Sequence, residues 1–139
     1  MNWVKFRQWT WEFPQTLLGV ILLLFYRKPI KVITYKDQKV YIFNEFPGGI
    51  SCGRYSLVDY NRTDWNLEYG RMKLKDSIKH EYGHSIQSKY WGWLYLPVPG
   101  LCSLYNNVMC RIKRALRKSY NYYEFWTERQ ADKFGGVSR

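Results

Sequence analysis

The pattern of apolar and polar positions changes period several times along the chain, and each change predicts an element. Leu17 to Tyr26 reads LLGVILLLFY without a polar interruption, behind a basic, aromatic start (MNWVKFRQWTWEFPQT) and ahead of Arg27-Lys28-Pro29. As a helix this run is about 15 Å long, half of a hydrocarbon core, so it cannot span a bilayer alone. It has the basic beginning and apolar centre of a signal sequence, but Phe25 to Pro29 offers no small-residue cleavage site. Residues 1–28 therefore carry two open readings: an uncleaved membrane-surface anchor with Trp3, Trp9 and Trp11 at headgroup depth, or a buried core helix.

Beyond Pro29 the period becomes that of a strand. IKVITY and VYIFN, rich in β-branched and aromatic residues, flank the polar KDQK and predict a hairpin whose turn is those four residues. Gly48 to Val58, GGISCGRYSLV, predicts a third strand, with its glycines marking a turn and a bulge or close backbone approach. DYNRTDWN is then a polar loop. The expectation is a small antiparallel N-terminal sheet.

A helical period follows from Lys73 to Trp91, stopped by Gly92. At about 100° per residue His80 and His84 share one side, whereas Ile78, Tyr82 and Ile86 lie roughly opposite. The helix can rest its back on the sheet while both imidazoles face a cleft. Gly83, inside it, costs about 1 kcal/mol relative to alanine, which points to another segment passing close by. WGWLYLPVPGLCSLY, with its prolines and glycines, makes a poor regular helix; a buried connection, a cleft wall and a membrane-dipping loop remain open. Val108, Met109, Ile112 and Leu116 then interleave with Arg111, Lys113, Arg114, Arg117 and Lys118 as a basic amphipathic helix. Such a helix can lie on a membrane, but the commoner arrangement is expected, an apolar stripe packed on the core beneath a solvated basic face. NYYEFWTERQADKFGG closes the chain as a helix with a capping box, Asn121 and Glu124, and an end at Gly135-Gly136.

At 139 residues, 46% hydrophobic and with 13 tyrosines and 7 tryptophans, the chain suits one folded domain, 1–139, of the α+β class. The formal charge of +11 favours anionic partners, an acidic membrane surface among them. Nucleic acid is supported by charge alone, since no zinc finger, helix-turn-helix or RNP-like signature is present. Cys52, Cys102 and Cys110 form no metal-type CxxC pair and allow at most one disulfide, none being the simplest state.

Composition changes the picture most at KHEYGHSIQ, which holds both histidines of the chain. Histidines at i and i+4 on a helix can ligate one Zn²⁺ from the same side, with the intervening Glu81 beside the open position. A catalytic site needs a third protein ligand, and a carboxylate is the natural candidate in the absence of another histidine. In the last helix Glu128, Ala131, Asp132 and Gly135 fall on one face. Small Ala131 and Gly135 would let that face approach the histidine helix, with Glu128 reaching the metal and Asp132 accepting a spare imidazole N–H.

HEYGH at 80–84 followed by ERQAD at 128–132 resembles the gluzincin metallopeptidases, the thermolysin-like clan, whose signature is HExxH with a downstream ExxxD. The resemblance covers two helices. More loosely, GHSIQS, LYLPVPG and YYEFWTERQADKFGGV are similar to small uncharacterised bacterial zincin-like proteins. The gluzincin resemblance implies His80, His84 and Glu128 as zinc ligands, Glu81 as general base and Asp132 as the orienting carboxylate. It implies a minimal zincin-like fold, a sheet packed on the HExxH helix with the third ligand on a C-terminal helix. The Gly48 to Val58 strand would be the edge that binds an extended peptide or protein substrate. The activity implied is peptide-bond hydrolysis by a metal-activated water. The chain given runs only to Arg139, so the larger relatives' C-terminal subdomain, a usual source of the oxyanion donor, is not expected; Tyr122, Tyr123 and Tyr55 are the candidates. The alternative is a non-catalytic zinc-binding protein acting as a membrane-surface or anion-binding module, in which Glu81 would be idle.

Overall fold

The computed structural model describes residues 2–60 and 74–138. The loop expected over DYNRTDWN lies mostly outside them. Helix α1 (Trp3–Trp9) starts at Asn2, whose side-chain oxygen accepts from the amides of Val4 and Lys5. Helix α2 (Phe13–Phe25) follows, with Pro14 in its first turn. Four strands come next, β1 (Lys31–Tyr35), β2 (Gln38–Phe43), β3 (Gly49–Cys52) and β4 (Tyr55–Asp59). Helix α3 (Leu74–Trp91) carries both histidines. A 3₁₀ turn, Gly92–Leu94, and a π-helical turn, Leu96–Gly100, lead into α4 (Leu101–Ala115), and a second 3₁₀ turn, Tyr122–Glu124, precedes α5 (Trp126–Gly135). The protein is α+β.

The sheet departs from the expected all-antiparallel arrangement. Its order is β1-β2-β4-β3, with antiparallel outer pairs and a parallel central pair, Tyr41 facing Leu57. GGISCGRYSLV is therefore not one strand but a hairpin that turns at Gly53-Arg54 and feeds β4 back between β3 and β2. Gly53 has φ +57, and a Cβ there would stand 2.1 Å from the Thr16 hydroxyl, so both the turn and the contact with α2 require glycine. The first hairpin also turns more tightly than expected: Tyr35 pairs with Gln38 across two residues, Lys36 and Asp37. Asp37 holds that turn in place by accepting from Arg7 and Lys89.

Alternation along the strands builds two cores. Val40, Ile42 and Val58 face α3 and pack with Ile78. Phe43 and Leu57 point the other way and pack with Leu22 and Leu23 of α2. Leu57 and Val58 are both fully buried, as a central strand covered by helices on both faces must be. Helix α2 is thus half core helix: Gly19 lies against Cys52 and Tyr55, while Leu17, Ile21 and Leu24 remain exposed.

Three further expectations need correction. The capping box at Asn121 does not form; Asn121 makes no side-chain cap and Tyr122–Glu124 coils as a 3₁₀ turn, so α5 begins later. The apolar stripe of the basic helix does not pack on the core, because α4 turns Asn106 and Cys110 inward instead. Part of the stretch read as poorly helical, Leu101 to Tyr105, is the first turn of α4. All three cysteines are free.

Candidate metal centre

Helix α3 is buried along most of its length, and apart from Ile78 its buried residues are polar or glycine. Ser77, His80, Glu81, Gly83, His84, Ser85, Gln87 and Ser88 are all inaccessible or nearly so. Such a helix needs polar partners on several sides. Ser88 supplies one by donating to the buried Glu12 carboxylate at 2.6 Å, and Gln15 donates to Ser88.

On its other side α3 crosses α5 at backbone contact. A Cβ on Gly83 would stand 1.8 Å from the Ala131 carbonyl oxygen, and one on Gly135 would stand 2.0 Å from that of Lys79. Glycine at both positions lets the helices approach until their side chains interleave. The crossing brings Glu128 and Asp132 of α5 to His80 and His84 of α3, while Ala131, fully buried, sits between them.

The resulting geometry is specific. Glu128 Oε2 lies 3.1 Å from His80 Nε2 and 3.2 Å from His84 Nε2. Asp132 Oδ1 lies 2.7 Å from His80 Nδ1. Gln87 Oε1 lies 2.8 Å from His84 Nδ1, and the same amide donates through its nitrogen to the Thr127 carbonyl at 2.8 Å. A carbonyl only accepts, so that bond fixes which end of the Gln87 amide faces His84. Both imidazoles therefore carry hydrogen on Nδ1, and each neutral ring turns the Nε2 lone pair toward the carboxylate.

Three acceptors converging in a buried space repel one another unless a proton or a cation lies among them. In the metal-free chain protonation answers this. Burial alone would lower the His84 pKa, but the Glu128 carboxylate outweighs it, with Glu81 and Gln87 adding, and the value stands at about 9. Burial would raise Glu128, yet the two imidazoles hold it well below the usual carboxylate range. A metal is the other answer. Tetrahedral zinc with bonds of about 2.0–2.1 Å sets its ligand atoms about 3.3 Å apart, close to the carboxylate–imidazole separations here. The potential ligand atoms of His80, His84 and Glu128 all lie within 4.8 Å of one another. Their chemistry and spacing fit such an ion.

Around this cluster, Glu81 is buried and its charge reaches His84 and Cys52. The Cys52 thiol, pushed up to about 12 by burial and then by Glu81, stays protonated. Of the tyrosines proposed as oxyanion donors, Tyr123 is buried with its ring edge-on to His80, centroids 5.7 Å apart. Tyr122 packs beside it, against Cys110. Tyr55 is not brought to the cluster; it packs on Gly19 and Tyr41, on the sheet face opposite α3. Residue alternation explains the difference, since Tyr55 and Leu57 share a face.

Sequence reasoning missed two groups. Gln87 is visible in retrospect as the residue at i+3 from His84 on the same helix face. Tyr95, between the 3₁₀ and π turns, has a buried phenol whose pKa is raised well above 10.0 by burial, then by Cys52, Glu81, Glu128 and Glu12. The only hint was its position in a stretch read as one of three things, a cleft wall among them.

Compared with protein-family models, curated proteins and solved structures, the chain matches none of them.

Proposed function

We propose that the chain is a zinc-dependent metallopeptidase of gluzincin type, holding Zn²⁺ through His80, His84 and Glu128. The observation that carries the metal is the convergence of two Nε2 lone pairs and one carboxylate oxygen, each imidazole fixed from behind by Asp132 or Gln87. Zinc in such a setting supplies Lewis acidity to water and to a carbonyl. Glu81, beside the histidines in sequence and buried near His84, takes a proton from water and returns it to the leaving amine. Tyr95 is protonated at neutral pH and lies in the field of Glu81 and Glu128, which makes it a better candidate for the oxyanion donor than Tyr55. Within Gly48 to Val58 only β3 lies at a sheet edge where an extended peptide could add, because β4 is paired on both sides.

One observation favours the second reading, a zinc-binding protein without turnover. The side chains of His80, His84 and Glu128 are 1%, 10% and 1% exposed, so in this conformation the cluster offers a peptide little access. Glu81→Gln separates the two. As a peptidase the variant keeps its zinc and loses at least about a hundredfold in cleavage of an unstructured protein substrate such as casein. No cleavage by the zinc-loaded parent would leave the non-catalytic reading standing, and cleavage unchanged in the variant would remove Glu81 as the general base.

A further inference from the structure

Helix α4 is built inside out. Its inward residues are Asn106 and Cys110, and Asn106 donates to the Tyr122 carbonyl while accepting from the Tyr120 hydroxyl. Its apolar residues, Leu101, Leu104, Tyr105, Val108 and Ile112, all point outward and are 44–59% exposed. At about 100° per residue these five fall within a single stripe about 120° wide or less, centred opposite the polar inward face. Among the described residues only the Phe125 ring packs beside the stripe, at Tyr105 with centroids 6.3 Å apart, and all five residues stay exposed.

The stripe is not isolated. Leu101 continues from the turns that hold exposed Trp93 and Leu94. Trp93 contacts the Phe13 ring, with centroids 6.3 Å apart, and donates to the Thr10 carbonyl, tying this corner to the start of α2. Along α2, Phe13, Leu17, Ile21 and Leu24 repeat the pattern, one exposed apolar row on a helix whose other side is core. Two helices thus present apolar rows joined through an aromatic corner, on a scale larger than the scattered exposed residues of ordinary surfaces.

Charge decides the occupant. Between Glu81 and Glu124 the sequence has no carboxylate, while Arg111, Lys113, Arg114, Arg117 and Lys118 cluster at the end of the α4 stripe. In residues 1–36 the one acidic residue, Glu12, is buried and paired with Arg7. A second copy of this +11 chain would bring like charges together across the face. Nucleic acid would satisfy the charge and leave the apolar rows in water. An acidic bilayer satisfies both, apolar rows at the acyl boundary and cations among the headgroups. No helix among the described residues is long and apolar enough to cross a membrane, so the contact is with one leaflet.

We infer that the outer faces of α2 and α4, joined by Trp93 and Leu94, form a single docking surface for an anionic lipid membrane. The inference stands apart from the hydrolase reading, because it needs neither zinc nor turnover. It also replaces the N-terminal segment as sole anchor with a bipartite surface in which α4 carries most of the charge.

The test is co-sedimentation of the full chain with vesicles of phosphatidylcholine containing phosphatidylserine, and with phosphatidylcholine alone. Binding to the acidic vesicles, reduced by salt, is expected. Replacing Arg111, Lys113 and Arg114 by glutamine should weaken it about a hundredfold, at roughly fivefold per cation. Leu104→Glu with Val108→Glu should abolish it while the far-UV circular dichroism stays unchanged. In the unaltered chain, bromine-labelled acyl chains should quench tryptophan emission, and Trp93→Phe should remove part of that quenching. Full recovery in the supernatant at low salt overturns the inference, as does a dimer in vesicle-free sedimentation velocity that Leu104→Glu dissociates. Duplex DNA binding without vesicle binding overturns it as well.

Discussion

The crossing of α3 with α5 and the outer face of α4 are opposites. In the first, a helix face of small and polar residues is buried, and in the second an apolar stripe faces outward. The difference shows that at these two places burial follows partnership rather than hydropathy, in contrast to the apolar cores on the sheet. His80, His84, Gln87, Glu128 and Asp132 can be buried because each has an acceptor or donor in the cluster. The α4 stripe is outside because α4 spends its inward face on hydrogen bonds to the Tyr120–Tyr122 segment. Two hydrogen bonds join the regions: Ser103, at the inner side of α4, donates to Thr127, and Thr127 donates to Glu128 Oε1.

The comparison breaks most violently at Gly83. Gly83→Ala places a methyl 1.8 Å from a backbone oxygen that has no flexible side chain to yield. A loss of about 3 kcal/mol or more in urea unfolding is expected, with zinc binding lost too because the helices must separate. Glu128→Ala comes next. It leaves two buried imidazoles without their carboxylate, and zinc affinity measured by competition with a chelator should fall by at least about a hundredfold.

Smaller effects sharpen the same contrast. Gln87→Ala and Asp132→Ala free one imidazole each from its rear contact, and each should weaken zinc about 10–100-fold without removing a ligand. Acidity acts on the cluster in two directions. His84, at about 9 against an ordinary 6.5, contributes stability to the metal-free chain that is complete below 6.5 and lost as pH rises through 9. Glu128, held well below 4.5, contributes stability present above that value and lost as pH falls beneath it. The metal-free Tm should therefore decline by about a few degrees from pH 6.5 to 9. Zinc affinity should rise over the same range, by up to about tenfold per pH unit, because the ion displaces the His84 proton. The least effect is expected on the other side of the comparison: Val108→Ser on α4 should change stability by no more than about 0.5 kcal/mol.

How much of this could be read in the sequence depended on whether the signal was local. The i, i+4 histidines and the small residues on the Glu128 face describe single helices, and Gly83 pointed to a close neighbour; the structure brings those faces together. The α+β class was legible for the same reason. The glycines of the third-strand stretch point to a turn and a close approach, and Gly53 provides both, but period alone does not tell one strand from a hairpin or a parallel neighbour from an antiparallel one. The β2–β4 pairing goes with α2 and α3 covering both faces of the sheet, information spread over distant segments. Helix α4 misled for a related reason. Its amphipathic pattern is clear, but which face turns inward was decided by Asn106 meeting Tyr120 and Tyr122, residues beyond the end of the helix.

The central claim is that the α3–α5 crossing holds one zinc ion through two histidines and Glu128. Elemental analysis of the purified chain after zinc loading and removal of loosely bound metal tests it most directly, with Glu128→Ala as the paired sample. About one zinc per chain, lost or sharply reduced in the variant, is the predicted result. No bound zinc in the intact, folded chain would contradict the account, and so would a full equivalent retained without Glu128.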